Sequence, residues 1–224
     1  MTRRPFVRAA LAALVLGSLA ACSASPTPTP TRPPTSSPSS TPSPSEEAPT
    51  PAAIEVFSDR FDVVDDAGAV LASFDYFQAT DEVVDGLTTL LGAPVDTTVE
   101  AGLETPAATY HDWGGLRLVD TVPPADPPTT PEHFVRLTSA DANGVALRAF
   151  DGSAVGGPIL NVQGEVSEYT NSIDGLAYRA VRTGVLPIEP ASDGTERNFA
   201  VAVLGEVDAD TITLIVSPSA NFGV

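Results

Sequence analysis

The chain has 224 residues and a formal net charge of −18, and all 11 of its basic residues are arginine. Binding to nucleic acid or to anionic lipid headgroups requires clustered positive charge. So acidic a chain therefore argues against nucleic acid as a partner and is typical of a solvent-exposed domain carried outside the cell.

Residues 1–21 have the organisation of a secretory signal. Arg3, Arg4 and Arg8 lie in front of an apolar run over residues 9–21, and small residues close it, as in signals that are cleaved. This apolar run has about 13 residues, whereas about 20 are needed to cross a hydrocarbon core. The run is therefore too short to span a membrane.

Leu19-Ala20-Ala21-Cys22 closes this segment and resembles the lipobox of bacterial lipoproteins. The resemblance implies cleavage before Cys22 and attachment of a diacylglycerol to its thiol, which would hold the protein on the extracellular face of the cell membrane. Two acyl chains anchor a protein stably, whereas one gives marginal binding. The alternative is an ordinary secretory signal with a chance cysteine, or an uncleaved anchor.

Residues 22–52 are predicted to form a disordered stalk behind the lipidated cysteine. They are almost entirely Ser, Thr, Pro and Ala, so they have little apolar surface to offset the entropy of ordering. Proline favours the extended polyproline II conformation, at about 3.1 Å per residue. Such a stalk would lift the following domain away from the membrane.

Residues 53–224 have the length of one domain. A proline-rich stretch at residues 122–131 is predicted to be a long internal loop, and a true domain boundary at that point is the alternative. The strongest local pattern is an amphipathic helix over residues 81–91, capped by Thr80 or Asp81 and ended by Gly92 and a following proline.

The rest of the domain is predicted to be mostly strand. Two hairpins are expected, one turning at residues 65–68 and one at the Asn-Gly pair within residues 141–144. The first joins 61–64 to 70–76, and the second joins 134–138 to 145–150. Further strands are predicted at 116–119, 177–182, 199–204 and 211–216. The predicted fold class is α+β, mostly antiparallel sheet with one clear amphipathic helix.

The densest group of candidate site residues is Tyr110-His111-Asp112-Trp113. Tyr110, His111 and Trp113 are predicted to form an aromatic binding lip with a titratable histidine. In the alternative interpretation, a strand enters a bulge at the following two glycines and Trp113 fills the core, because a lone tryptophan is usually well buried.

No catalytic residue, metal site or other cofactor is predicted. Only two histidines, His111 and His133, are available as ligands beside a cysteine assigned to the lipid, and zinc sites use three or four such ligands. Ser153 lies among glycines but not in a Gly-x-Ser-x-Gly motif. A hydrolase would need a cleft that joins one of these histidines to an acid and a serine.

The helix ending in Leu91-Gly92-Ala93-Pro94, the aromatic residues 110–113 and the strand 116–119 resemble small envelope lipoproteins and inhibitors. These are of the outer-membrane-assembly-lipoprotein and β-lactamase-inhibitor-protein type. The resemblance implies a sheet that binds another protein. The domain also resembles exported domains of high-GC Gram-positive bacteria, which implies no activity. The predicted function is a lipid-anchored, non-enzymatic binding module for a protein or cell-wall partner; the alternative is a cell-wall-directed hydrolase.

Overall fold

The computed structural model describes residues 50–101, 107–121, 130–170, 175–190, 194 and 196–221. All of them belong to the unit Glu46–Val224. The signal, Cys22, residues 23–49 of the stalk and residues 122–129 of the proline-rich stretch lie outside the described residues.

The described part of the chain contains thirteen strands and one α-helix. Along the chain they are β1 (Ala53–Val56), β2 (Arg60–Val64), β3 (Val70–Asp75), α1 (Thr80–Leu91), β4 (Val95–Val99), β5 (Ala108–Asp112), β6 (Leu116–Thr121), β7 (His133–Leu137), β8 (Asp141–Ala142), β9 (Val145–Ala149), β10 (Glu165–Thr170), β11 (Ala177–Ile188), β12 (Arg197–Glu206) and β13 (Thr211–Asn221). A short 3₁₀ helix, Ile159–Asn161, precedes β10.

The strands form two sheets. The smaller has five strands in the order β3-β2-β1-β9-β8, and the larger has eight in the order β10-β11-β12-β13-β7-β6-β5-β4. Neighbours are antiparallel except β1 and β9, which run parallel. Strands β6 and β7, on either side of the proline-rich stretch, are hydrogen-bonded neighbours, so this stretch connects adjacent strands of one sheet.

Both sheets and the helix contribute to one hydrophobic core. Alternate residues of the strands face inward, as the period of two along a strand requires. The buried side chains include Ile54, Val56, Phe61 and Val63 from the smaller sheet, Leu116, Leu118, Val135 and Leu137 from the larger one, and Val83 and Leu87 from α1. One core thus lies between the sheets, with α1 packed against it.

The amphipathic helix is confirmed almost to the residue. α1 runs over Thr80–Leu91 and buries Val83 and Leu87, and the Gly92 N–H donates to the Thr88 carbonyl at its end. The predicted cap is wrong, because Ala79 occupies the N-cap position and no side chain caps the helix there. Asp81 and Glu82 in the first turn still place negative charge at the positive end of the helix dipole.

One of the two predicted hairpins is correct and the other is wrong in part. β2 and β3 pair as expected across residues 65–68. The Asn-Gly pair does form a turn, with positive φ at both Asn143 and Gly144, as a type I′ turn requires. However, this turn joins β9 to the two-residue β8, while β7 pairs with β6 and β13 in the other sheet. A turn motif determines the pairing of only the residues directly beside it.

The predicted α+β class is also wrong: the fold is predominantly β, since the described residues are 54% strand and 10% helical. The sequence pattern under-counts strands whose side chains are exposed on both faces. β4 and β10 have this character, with every residue exposed, and so lack the hydrophobic alternation by which a strand is detected. The single helix therefore received too much weight.

Candidate functional site

Trp113 lies in the hydrophobic core and not on a binding lip. Its side chain is 2% exposed, and its indole Nε1–H donates to the Gly92 carbonyl at 2.8 Å. The chain turns sharply after it at Gly114 and Gly115, both of which have positive φ. This arrangement matches the alternative interpretation, in which Trp113 fills the core beside the glycine pair.

His111 lies on the same face of β5 as Trp113, with the two ring centroids 6.5 Å apart. Its Nδ1 is 2.8 Å from a carboxylate oxygen of Asp96 on the neighbouring strand β4. The His111 side chain also lines a cavity of about 200 Å³ beside α1, together with acidic residues that include Asp81 and Asp120. Within the described residues, no group of three or more His, Cys, Asp or Glu side chains is placed to hold a metal ion.

Tyr110 lies on the opposite face of β5 from His111. The Arg117 guanidinium is 5.5 Å from its ring centroid and also donates to Asp112 at 2.7 Å. Burial acts to raise the pKa of Asp112, but the hydrogen bonds from Arg117 and from the Gly114 backbone outweigh it and hold this pKa below its ordinary value. The strand therefore separates Tyr110 from His111 and Trp113, and the three do not form one surface.

His133 is fully buried at the start of β7. Its ring packs edge-on against Tyr76, with centroids 5.9 Å apart, and its Nδ1 is 3.5 Å from the Thr80 hydroxyl. Its Nε2 is buried with no hydrogen-bond partner among the described residues. Burial lowers the pKa of His133 to about 4, with Asp75 acting in the opposite direction.

A cavity of about 450 Å³, here called the polar cavity for the polar side chains in its wall, lies between the loop after β9 and the larger sheet, and the larger part of its exposed lining is apolar. Its lining combines hydroxyl, amide and carboxylate side chains with an apolar floor: Asp151, Ser153, Asn161, Gln163, Thr183 and Ile212. Neither histidine is among the described residues that line it. The cleft that a Ser-His-acid hydrolase would need is thus not formed around Ser153 by these residues.

A second depression, here called the apolar groove, lies directly beside this cavity and has a volume of about 250 Å³. It is formed by the end of β1, the end of β9 and the second half of β11, and its apolar lining residues are Phe57, Phe150, Val185 and Leu186. Phe57 and Phe150 stack with their ring centroids 5.8 Å apart. Three of these side chains are more than one third exposed, namely Phe150, Val185 and Leu186.

Gly184 allows the Phe150 ring to pack closely against β11. Its φ is +60°, and a Cβ added there would lie 2.7 Å from the Phe150 ring. A side chain at this position would therefore displace Phe150 from β11. The Ser58 hydroxyl donates to the Gly184 carbonyl, and the pairing of β11 with β12 shifts register between Thr183 and Leu186. This irregularity turns Val185 out of the ladder.

No protein-family model matches the chain, and no curated protein or solved structure matches it either. Among the described residues, no helix is both long and apolar enough to cross a membrane.

The sequence prediction missed the apolar groove completely. Its residues come from three separate parts of the chain, and the strand predicted at 177–182 stopped just before Gly184. The available signal was Gly184-Val185-Leu186-Pro187, because a glycine within a strand pattern indicates a bulge and a proline indicates an edge.

Proposed function

We propose that this protein is a lipid-anchored cell-envelope protein whose domain binds a partner protein through the apolar groove. The observation that carries the proposal is the cluster of Phe150, Val185 and Leu186, whose exposed fractions are 39%, 37% and 39%. Single exposed apolar side chains are common, whereas several that line one depression mark an interaction site.

The surroundings of the groove define the chemistry of the partner. Asp59 lies on its rim, and Asp151 follows Phe150 directly in sequence. Arg60 packs over the Phe57 ring at 4.4 Å and pairs with both Asp59 and Asp62, so two carboxylates share one guanidinium and the net charge of this group is negative. A partner segment that combines apolar and basic side chains would therefore fit best.

The second half of β11 favours side-chain docking over the addition of a strand. Among the described residues, β10 pairs with β11 only over Ala177 to Arg182, and no described strand pairs with the later residues of β11 on that side. Pro187 lies in this stretch and has no N–H to donate. The partner would then gain its affinity mainly from burial of the apolar groove side chains.

Replacing Val185 by aspartate should weaken binding of the partner at least tenfold, because a carboxylate would have to be desolvated in the apolar interface. Val166→Asp is the matched control, since Val166 is a valine in β10 that is 47% exposed. A photo-crosslinking amino acid at Leu186 in living cells would first capture the partner, and purified proteins would then give the affinities.

Two results would contradict the proposed interface. One is equal capture of the same partner from a crosslinker placed at Val95 in β4, which is 71% exposed but belongs to another edge. The other is an equal loss of affinity in Val185→Asp and Val166→Asp.

Replacing Cys22 by alanine should release the protein from the membrane fraction into the medium while its thermal unfolding stays unchanged. The diacylglycerol that the lipobox implies would then have no thiol to join, and the described domain begins well beyond this residue. Fractionation and immunoblotting measure the release. If Cys22→Ala stays with the membrane, the anchor proposal is wrong.

A further inference from the structure

We infer that the polar cavity beside the apolar groove binds a neutral saccharide. This inference rests on the proposed function, in that it names a second ligand class for the same face of an envelope protein. The volume of the cavity, about 450 Å³, falls within the range of about 300–1,000 Å³ that is typical of small-molecule sites.

The charges of the cavity exclude an anion as its natural ligand. Asp151 contributes a carboxylate, and the described lining residues include no arginine or histidine. Because the whole chain contains no lysine, no lysine can supply the missing positive charge. A phosphate, carboxylate or sulfate group would be repelled by Asp151, whereas an uncharged ligand would not.

The polar side chains of the cavity match a ligand that carries many hydroxyl groups. Ser153 and Thr183 offer hydroxyls that both donate and accept, and Asn161 and Gln163 offer amides with the same dual capacity. Saccharide hydroxyls also donate and accept, so each can be satisfied in this lining. A purely apolar ligand would leave those of these groups that it covers without hydrogen bonds.

The floor of the cavity is apolar and well ordered. Ile212 and Val162 are 1% and 5% exposed, and both line the cavity. The C–H face of a sugar ring can pack on such a floor while its hydroxyl edge meets the polar wall.

The walls are held in place before any ligand arrives. The Gly156 N–H donates to the Ile212 carbonyl, and the Ile212 N–H donates to the Gly157 carbonyl, both at 2.8 Å, so the loop is tied to β13 in both directions. The Ser153 N–H donates to the Asp151 carboxylate at 2.9 Å. On the opposite wall the Leu160 N–H donates to Asp210 at 2.8 Å. A preformed site of this kind loses little entropy on binding.

The test is ligand-observed saturation-transfer NMR on the full mature chain. The probes are the methyl glycosides of glucose, galactose, arabinose and N-acetylglucosamine, with glucose 6-phosphate as the charged counterpart. We expect saturation transfer to at least one neutral glycoside at millimolar concentration. Thr183→Val and Ser153→Ala should each weaken the affinity for that glycoside at least fivefold. Thr183→Val keeps the shape and the strand preference of the side chain.

Thr97→Val is the matched control, because Thr97 is an exposed threonine in β4 at the far edge of the larger sheet. It should bind as the wild type does. The inference is overturned if no glycoside binds, if binding survives in both cavity variants, or if glucose 6-phosphate binds equally well. Ser153→Ala changes a loop residue, so the test remains decisive even if Thr183→Val lowers the melting temperature.

The two proposals can fail separately. Capture of a protein at Leu186 does not depend on the cavity, and saturation transfer does not depend on the groove. Val185→Asp should therefore leave glycoside binding unchanged, and Thr183→Val should leave crosslinking at Leu186 unchanged.

Discussion

Replacing Trp113 by alanine is expected to lower the free energy of unfolding by about 3–5 kcal/mol, the usual cost of removing a large buried aromatic side chain. The indole is 2% exposed, and the deletion would leave a cavity where α1, β5 and β6 meet. It would also leave the Gly92 carbonyl at the end of α1 without the indole N–H that it accepts at 2.8 Å. Domains are stable by only about 5–15 kcal/mol, so the loss is a large fraction of the total.

The measurement is chemical denaturation followed by far-UV circular dichroism, because the variant removes the chain's only tryptophan and with it the fluorescence signal. Trp113→Phe should cost less, since it keeps most of the ring and loses the hydrogen bond. Tyr110→Ala is the control, because this side chain is partly exposed and lies on the opposite face. A loss below about 1 kcal/mol for Trp113→Ala would show that the residue is not a core residue.

Acidification from pH 7 to pH 4 is expected to cost about 3 kcal/mol of stability through His133 alone. In the unfolded chain its pKa is near the ordinary value of about 6.5, whereas burial lowers the pKa in the folded protein to about 4. Between these values the unfolded state binds the proton more readily. Stability from this residue is therefore nearly complete above pH 6.5 and is lost as the pH falls from 6.5 to 4.

The measurement compares unfolding free energies at pH 7 and pH 4 for the wild type and for His133→Asn, which cannot titrate. The many carboxylates contribute to the pH dependence of both proteins. The difference between the two pH dependences therefore gives the contribution of His133. His111→Asn is the matched control for the histidine-to-asparagine exchange, because His111 is only partly buried. Equal pH dependence in the wild type and in His133→Asn would refute the prediction.

Local sequence patterns were sufficient to predict the elements that depend on residues close together in the chain. The helix was predictable because Val83 and Leu87 recur at helical spacing and Gly92 ends it. The hairpin of β2 and β3 was predictable because its turn residues and both strands lie within one short segment. Strand pairing over long distances was not predictable, and β7 was assigned to the wrong partner for this reason.

The candidate site was not predictable from the sequence. The aromatic residues of 110–113 lie close together in sequence, but this closeness does not determine whether a ring faces the core or the solvent. The apolar groove combines Phe57, Phe150 and Leu186, which are far apart in sequence and carry no shared motif. Their proximity depends on the parallel pairing of β1 with β9, which no turn residue encodes.

The central position of β1 has a mechanical consequence for a tethered protein. In the proposed anchored state the stalk enters the domain directly at β1, which is held on one side by β2 and on the other by β9. The ladders already begin at Ala52, whose N–H donates to Val64 and whose carbonyl accepts from Ala146. A force along the strand axis would load both ladders in shear, so many hydrogen bonds would have to break together. An edge strand, in contrast, could be peeled away one hydrogen bond at a time.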